Sequence, residues 1–113
     1  MAPGGGTDDV LLGKLRDRDA VVRRRAARDI GTAKLKAGVR ELISVLADDA
    51  SAPVRRAAAE ALGKIGDPAA RGPLERALRA EHDDAVRGAI AAALTHLGVA
   101  SGDYPGILPV SEE

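Results

Sequence analysis

Side chains that could serve as nucleophiles, general bases or metal ligands are few in this sequence of 113 residues. There is no Cys, which excludes a thiolate metal site and a cysteine nucleophile, and the four Ser residues lack the context of a hydrolase nucleophile. His82 and His96 stand well apart in the sequence, one in a predicted turn and one near the predicted end of a helix. We interpret both as exposed histidines, the second of which complements a helix dipole.

Paired carboxylates are the other arrangement that could support catalysis, because one can act as acid and the other as base. Such pairs occur at positions 8–9, 48–49 and 83–84. All three fall at predicted helix starts or in connections, where helix capping explains them. The sequence therefore predicts no catalytic residue, no metal site and no cofactor, and we expect a protein that is not an enzyme.

Small aliphatic side chains dominate the apolar residues. The sequence has 23 Ala and 26 Leu, Ile or Val, but one Tyr and neither Phe nor Trp. This composition argues against an aromatic-lined ligand cavity. No apolar run is long enough for a transmembrane helix and no signal peptide is visible, so we expect a cytoplasmic protein without membrane contact.

An internal repeat organises the chain. The dipeptides Val22-Arg23, Val54-Arg55 and Val86-Arg87 mark it at equal intervals, and the residues around them match in register. Apolar residues recur at spacings of three and four within each unit, and no segment alternates with period two, which indicates paired helices. The predicted helices cover residues 8–16, 20–34, 38–47, 52–65, 68–80 and 84–97.

Three helical pairs make up the predicted domain, because neither helix of a pair can bury its apolar face alone. The fold class is all-α, a short α-solenoid of three helix-turn-helix units at residues 8–34, 38–66 and 68–98. The Gly/Pro-rich residues 1–7 are predicted to be disordered. Residues 99–113 contain Pro105 and Pro109 and are predicted to form a non-helical tail.

The segment from Pro53 to Leu78 resembles the HEAT-like repeat of phycobilin lyase-related and bacterial scaffold proteins, since Val-Arg, Ala-Ala, Leu-Gly and Gly-Asp-Pro occur in order. The first unit departs from this pattern, with Lys34-Leu35-Lys36 where the second has Gly66-Asp67-Pro68. The resemblance implies a right-handed solenoid whose second helices line a concave binding face.

One arginine occupies the same position in every unit, at residues 23, 55 and 87. Such an Arg most often joins successive repeats by reaching an acidic group or a carbonyl, as the resemblance also implies. We therefore interpret Arg23, Arg55 and Arg87 as structural. A row of ligand-binding arginines is the alternative.

Charge is distributed unevenly along the chain. Residues 14–40 hold ten basic and three acidic residues, whereas residues 41–113 hold seven and twelve. Arg24, Arg25 and Arg28 fall off the apolar stripe of their helix and should be exposed. They suit a solvated face, an acidic protein partner or, less well, nucleic acid, because the near absence of aromatics leaves bases little to stack on.

The last helix is apolar nearly all round, since residues 88–102 contain no Asp, Glu, Lys or Arg. A terminal repeat should present a polar face to water, so we expect something to cover this helix. The cover could be a partner, a second copy in a homo-oligomer, or the chain's own tail through the apolar residues Tyr104, Ile107, Leu108 and Val110.

These features predict a non-enzymatic scaffold or interaction module that binds a protein partner through its concave face or terminal helix. Polyanion binding through the Arg-rich first repeat is one alternative, and kinship to a chromophore lyase is another. The candidate partner-binding residues are Arg24, Arg25, Arg28, Arg56, Glu60, Ala89, Ala92, Ala93 and His96.

Overall fold

The computed structural model describes residues 3–98, and their side chains from residue 8 onward. Six α-helices account for most of this range, and no strand occurs within it. They form three antiparallel pairs, which confirms the all-α solenoid of helix-turn-helix repeats. The helices are α1 (Pro3–Lys14), α2 (Ala20–Thr32), α3 (Val39–Asp48), α4 (Ala52–Ile65), α5 (Arg71–Ala80) and α6 (Asp84–His96).

The second helix of each pair begins at a capping side chain. Asp19 accepts a hydrogen bond from the Val21 N–H, Ser51 from the Val54 N–H, and Asp83 from the Val86 N–H. Each cap satisfies a backbone donor that the helix itself leaves without a partner. The caps therefore start α2, α4 and α6 at equivalent points of the repeat.

The turn that leaves each second helix requires a left-handed residue. Gly66 and Gly98 take φ values of 74° and 86°, and Lys34 takes 53° at the equivalent place in the first repeat. A short 3-10 turn follows in both internal connections, at Lys36–Gly38 and Pro68–Ala70. The first connection thus keeps the shape of the second despite its different sequence, and Lys34 bears the strained conformation.

The second helices form one layer, with the first helices packed against them. α4 contacts α2 on one side and α6 on the other far more extensively than α3 contacts α5. The row of second helices therefore lies on the inner side of the solenoid. Its core is built from fully buried aliphatic side chains, the largest being Ile30, Leu42, Leu62, Leu74, Ile90 and Leu94.

Two glycines allow the second helices to approach each other. A Cβ atom built on Gly31 would lie 2.7 Å from the Cα of Ala61, and one built on Gly63 would lie 3.0 Å from the Cα of Ala93. Real Cβ atoms essentially never come as close as the first distance, and the second is tighter than nine in ten real Cβ contacts. The α2–α4 and α4–α6 contacts therefore depend on Gly facing Ala at the crossing.

The structure differs from the sequence-based predictions at two places. Residues 3–7, predicted to be disordered, form the start of α1, where Pro3 is tolerated because the first turn of a helix needs no N–H from it. The 8–9 acidic pair consequently lies inside α1 rather than at its start. Ala89 and Ala93 are buried, because α6 turns them toward α4. They are core residues that lie at the floor of a shallow depression between α4 and α6.

The C-terminal residues 99–113, including the predicted tail motif Tyr104, Ile107, Leu108 and Val110, lie outside the described residues. Within the part that is described, no helix combines the length and apolar character needed to cross a bilayer.

Candidate functional site

The arginine of the first Val-Arg pair joins two repeats. Arg23 donates to Asp49 through both Nε and Nη2, at 2.8 and 3.1 Å, in a two-pronged ion pair. Its Nη1 donates to the carbonyl oxygens of Asp17 and Arg18 at 2.7 and 3.0 Å. One guanidinium therefore fixes the turn of its own repeat and the corresponding turn of the next.

Arg55 repeats this arrangement one unit further along. Its Nε and Nη2 donate to the two carboxylate oxygens of Glu81, both at 2.9 Å, and its Nη1 donates to the Asp49 carbonyl at 2.8 Å. Asp49 thus accepts from Arg23 through its carboxylate and from Arg55 through its backbone. We call the chain of contacts through Arg23, Asp49, Arg55 and Glu81 the arginine ladder.

The ladder lowers the pKa of both carboxylic acids. Burial raises the pKa of Asp49, but hydrogen bonds from Arg23 and from the Ser51 N–H outweigh it, so that the pKa falls below its ordinary value. For Glu81 the hydrogen bond from Arg55 is the largest cause, and it lowers the pKa against the opposing effect of burial. The same contacts raise the pKa of Arg23 and Arg55. Folding therefore favours the ionised form of both carboxylates.

Arg87 occupies the last position of the series with only half of these contacts. Its Nη1 donates to the carbonyl oxygens of Leu78 and Glu81, at 2.8 and 3.1 Å. Among the described residues, no carboxylate contacts its Nε or Nη2.

A basic groove of about 530 Å³ crosses the inner face between α2 and α6. Arg24 and Arg28 of α2 line the groove, as do Arg56 and Lys64 of α4. All four side chains are exposed. The acidic lining comes from Glu60, which accepts from Arg56 Nε at 3.1 Å, and from Asp83. We call this the inner groove, and four cations against two carboxylates give it a positive field.

The remaining candidate residues lie around the inner groove. Arg25 is exposed but does not line it. Ala92 and His96 are exposed and line a smaller depression beside Glu60 and Lys64, between α4 and α6. Lys64 and Asp83 were absent from the sequence-based set. The four-position step from Glu60 to Lys64 along one helix face could have indicated the lysine.

A second groove, of about 700 Å³, opens between α3 and α5 on the outer side. Its floor is apolar and includes Ile43, Leu46 and Ala77. Its polar end contains Asp49, Arg55 and Glu81, which the arginine ladder already pairs. The same groove is also lined by Arg76, His82 and Asp83, which lie outside the arginine ladder.

The two histidines lie on different repeat elements, His82 in the turn before α6 and His96 in the last turn of α6. Across residues 8–98, whose side chains the structure describes, no three His, Asp or Glu residues come together as metal ligands.

The chain is similar to HEAT-repeat proteins in sequence and to epoxyqueuosine reductases in structure. A profile for HEAT repeats matches residues 9–95, without distinguishing the phycobilin lyase type. Comparison with curated proteins finds no match. A selenomethionine-labelled epoxyqueuosine reductase is similar in structure, with 33% identity and a TM-score of 0.64 over 67% of this chain and 20% of that one. The same enzyme type bound to an epoxyqueuosine-modified tRNA-Tyr stem loop gives 32% identity and a TM-score of 0.66 over 69% and 21%. The chain therefore matches about a fifth of these reductases.

Proposed function

The chain belongs to the HEAT-repeat family, and from this premise we propose that it is a non-enzymatic interaction module whose inner groove binds an acidic segment of a protein partner. HEAT repeats generally mediate protein interactions. The observation that carries the proposal is the row of exposed cations from two adjacent second helices, Arg24, Arg28, Arg56 and Lys64.

Electrostatic attraction is the main source of affinity in this proposal. The inner groove gathers its cations within two neighbouring helices, where their potentials add and draw an acidic segment toward the surface. Arg56 is held by Glu60, so Arg24, Arg28 and Lys64 are the cations left to meet a ligand carboxylate. Their exposure means that binding should weaken with salt.

The lining of the inner groove favours a peptide over a small molecule. Between its charged residues lie Ala52, Pro53 and Ala57, and none of the described residues that line it is aromatic. Such a surface supplies shallow apolar contact along a chain rather than an enclosing pocket. An acidic segment with small apolar side chains between its carboxylates matches both features.

The direct test is fluorescence anisotropy with a labelled peptide of alternating Glu and Ala, compared with a peptide in which Gln replaces Glu. The protein should bind the acidic peptide, lose affinity as salt rises, and lose it at least tenfold in the double variant R24A/R28A. The matched control is R76A/R79A, which removes two exposed arginines of α5 outside the inner groove. Equal affinities for both peptides, or equal losses in both variants, would reject the proposal.

RNA binding is the second candidate, favoured by the structural likeness to a reductase bound to a tRNA stem loop. The same cations would contact phosphates, but a sequence with one Tyr and no Phe or Trp offers bases few stacking partners. A labelled tRNA stem loop in the same anisotropy assay decides between them. Tighter binding of this RNA than of the acidic peptide, with a loss in R24A/R28A, would replace the first candidate.

A further inference from the structure

The arginine of each Val-Arg pair is anchored by the backbone of its own inter-helix turn. In all three repeats the Nη1 atom donates to the carbonyl oxygen of the acidic residue six positions earlier. The distances are 2.7 Å for Arg23, 2.8 Å for Arg55 and 3.1 Å for Arg87. This shared contact holds the three guanidinium groups at the same place in their repeats.

The other edge of the guanidinium is where the third repeat differs. Arg23 and Arg55 each use Nε and Nη2 to bind a carboxylate of the next repeat. Arg87 uses neither atom within the described part of the chain, while its Nη1 is held a second time by the Leu78 carbonyl, at 2.8 Å. A guanidinium that is fixed at one edge and open at the other is preorganised to bind a carboxylate through two parallel hydrogen bonds.

The surface beside the open edge of Arg87 carries small side chains. Ala91 lies one helical turn further along the same face of α6. It is partly exposed, whereas its counterparts Ala27 and Ala59 are fully buried beneath the next repeat. Gly88 has no atom of the described residues within 4 Å of the place of its missing Cβ. A ligand that reaches the Arg87 edge can therefore also make apolar contact.

Thr95 keeps a further helical repeat from packing on α6. It takes the position of Gly31 and Gly63, where a Cβ atom would lie only 2.7 and 3.0 Å from the backbone of the next second helix. A branched Thr side chain would force such a crossing apart, so neither a partner's repeat nor a second copy stacks here in the same register. Thr95 is about 12 Å from Arg87 along α6, which leaves space for a narrower segment at Arg87.

The chain's own turns show which kind of segment the open edge receives. The carboxylates of Asp49 and Glu81, which the two earlier arginines bind, each accept the backbone N–H two positions further on, at 2.9 and 3.0 Å. This local hydrogen bond fixes the carboxylate on a tight turn. An acidic turn of this kind therefore matches the donors that Arg87 presents.

We infer that the open edge of Arg87 is a binding site for the Asp or Glu side chain of an acidic turn on a partner protein. Two of the three equivalent arginines hold such a carboxylate, and the third offers the same donors beside small apolar residues. Arg87 does not line the inner groove, so this inference does not rest on the proposed function.

The test is an NMR titration of the whole chain with an acetylated and amidated peptide of residues 49–54, whose only charge is Asp49. The Arg87 Nε–H resonance should shift as the peptide binds, whereas those of Arg23 and Arg55, which are already paired, should not. The D49N form of the peptide should bind about tenfold more weakly, because it offers no charged acceptor.

Variants of the protein assign the shift to the guanidinium fork. R87K keeps the charge but loses the fork, and should weaken binding about fivefold, read from the backbone N–H of Ala91. Unchanged Arg23 and Arg55 resonances would show that R87K is folded. R76K is the matched control, because Arg76 lines the outer groove, and it should bind the peptide like the parent.

An Arg87 resonance that ignores the peptide, or responds equally to the D49N form, overturns the inference. So does one that already resembles those of Arg23 and Arg55 without peptide, because the chain itself would then occupy the edge. A shift that appears with rising protein concentration alone assigns the carboxylate to a second copy and also overturns it. Peptide binding that R24A/R28A abolishes while Arg87 stays unchanged would overturn it too, but would leave the proposed function intact.

Discussion

At the scale of single residues, the carboxylates of Asp49 and Glu81 determine how the repeats are joined. Their side chains are each only 7% exposed, and each is bound by two guanidinium nitrogens and a backbone N–H. Removing one partner of such a group leaves the other desolvated without compensation. These pairs therefore matter more to stability than the exposed pair of Arg56 and Glu60, which water and salt screen.

Acid should weaken the folded state through the same two carboxylates. Their pKa values are lower in the folded chain than in the unfolded chain. They therefore contribute stability above their unfolded pKa values of about 4 to 4.5, and this contribution is lost as the pH falls through the folded values. Urea unfolding at pH 7 and pH 3 should show a clear loss of stability in acid.

The variant E81Q separates this effect from general acid unfolding. It should cost about 1 to 3 kcal/mol at pH 7, and its further loss at pH 3 should be smaller than that of the parent. A pH dependence as steep as the parent's would mean that Glu81 does not contribute to it.

At the scale of helices and turns, the space around a glycine determines what that glycine contributes to stability. Gly31 and Gly63 stand where α4 crosses α2 and α6, whereas Gly88 in α6 has no atom of the described residues near the place of its missing Cβ. Gly lowers helix stability in each case, but only the first two gain a close helix contact in return. The effect of substituting a glycine therefore depends on what it faces.

Gly31→Ala and Gly88→Ala should change stability in opposite directions. Gly88→Ala should stabilise by about 1 kcal/mol through helix propensity alone. Gly31→Ala gains the same propensity but forces α2 away from Ala61, with a net loss of roughly 1 to 3 kcal/mol. Denaturant midpoints of the two variants check this. If both substitutions stabilised the protein, the contact between α2 and α4 would have space for an added Cβ at Gly31.

The turn after α2 offers a stabilising substitution. Lys34 takes a φ of 53°, which costs a residue with a side chain about 1 kcal/mol or more. Lys34→Gly should relieve this strain and, after the added freedom of the unfolded chain, stabilise by about 0.5 kcal/mol. Ala33→Gly, where φ is −79°, is the control and should destabilise. Thermal melting of both variants would reveal a wrong sign.

The repeat, its six helices and the position of the arginines could be predicted because they depend on local periodicity. The burial of Ala89 and Ala93 could not, since Ala does not distinguish a helix contact from an exposed face, and the rotation of α6 depends on packing against α4. The conformation of the first inter-repeat turn could not be predicted either, because a lysine at position 34 does not indicate a left-handed backbone. The inner groove could not be predicted from the sequence, because its cations come from two helices, α2 and α4, whose relative position the sequence does not give.

At the scale of the whole molecule, the arginines that join the repeats differ from those that we propose for binding. The ladder arginines lie half-buried between repeats, whereas Arg24, Arg25 and Arg28 are exposed on α2. The side chains of Arg24, Arg25 and Arg28 make no hydrogen bond or ion pair with other residues in the described part of the chain. The protein can therefore change its surface charge without loosening its core.

The triple variant R24A/R25A/R28A should retain the stability of the parent, since each lost charge is worth about 0 to 1 kcal/mol. Relief of repulsion among these neighbouring cations should offset part of any loss. Differential scanning calorimetry of the variant, beside R55A as a ladder control, measures both. If the triple variant melted as early as R55A, these arginines would have an internal structural role.

The central position of α4 determines which part of the molecule unfolds last. Eight of its fourteen residues are buried, and it contacts α2, α3 and α6. Amide protons in the middle of α4 should exchange with solvent only when the whole chain unfolds, whereas those of α1 escape through local fraying. Although the repeats are linear in sequence, α4 makes them one cooperative unit, and its slowest-exchanging amides should report the global free energy of unfolding.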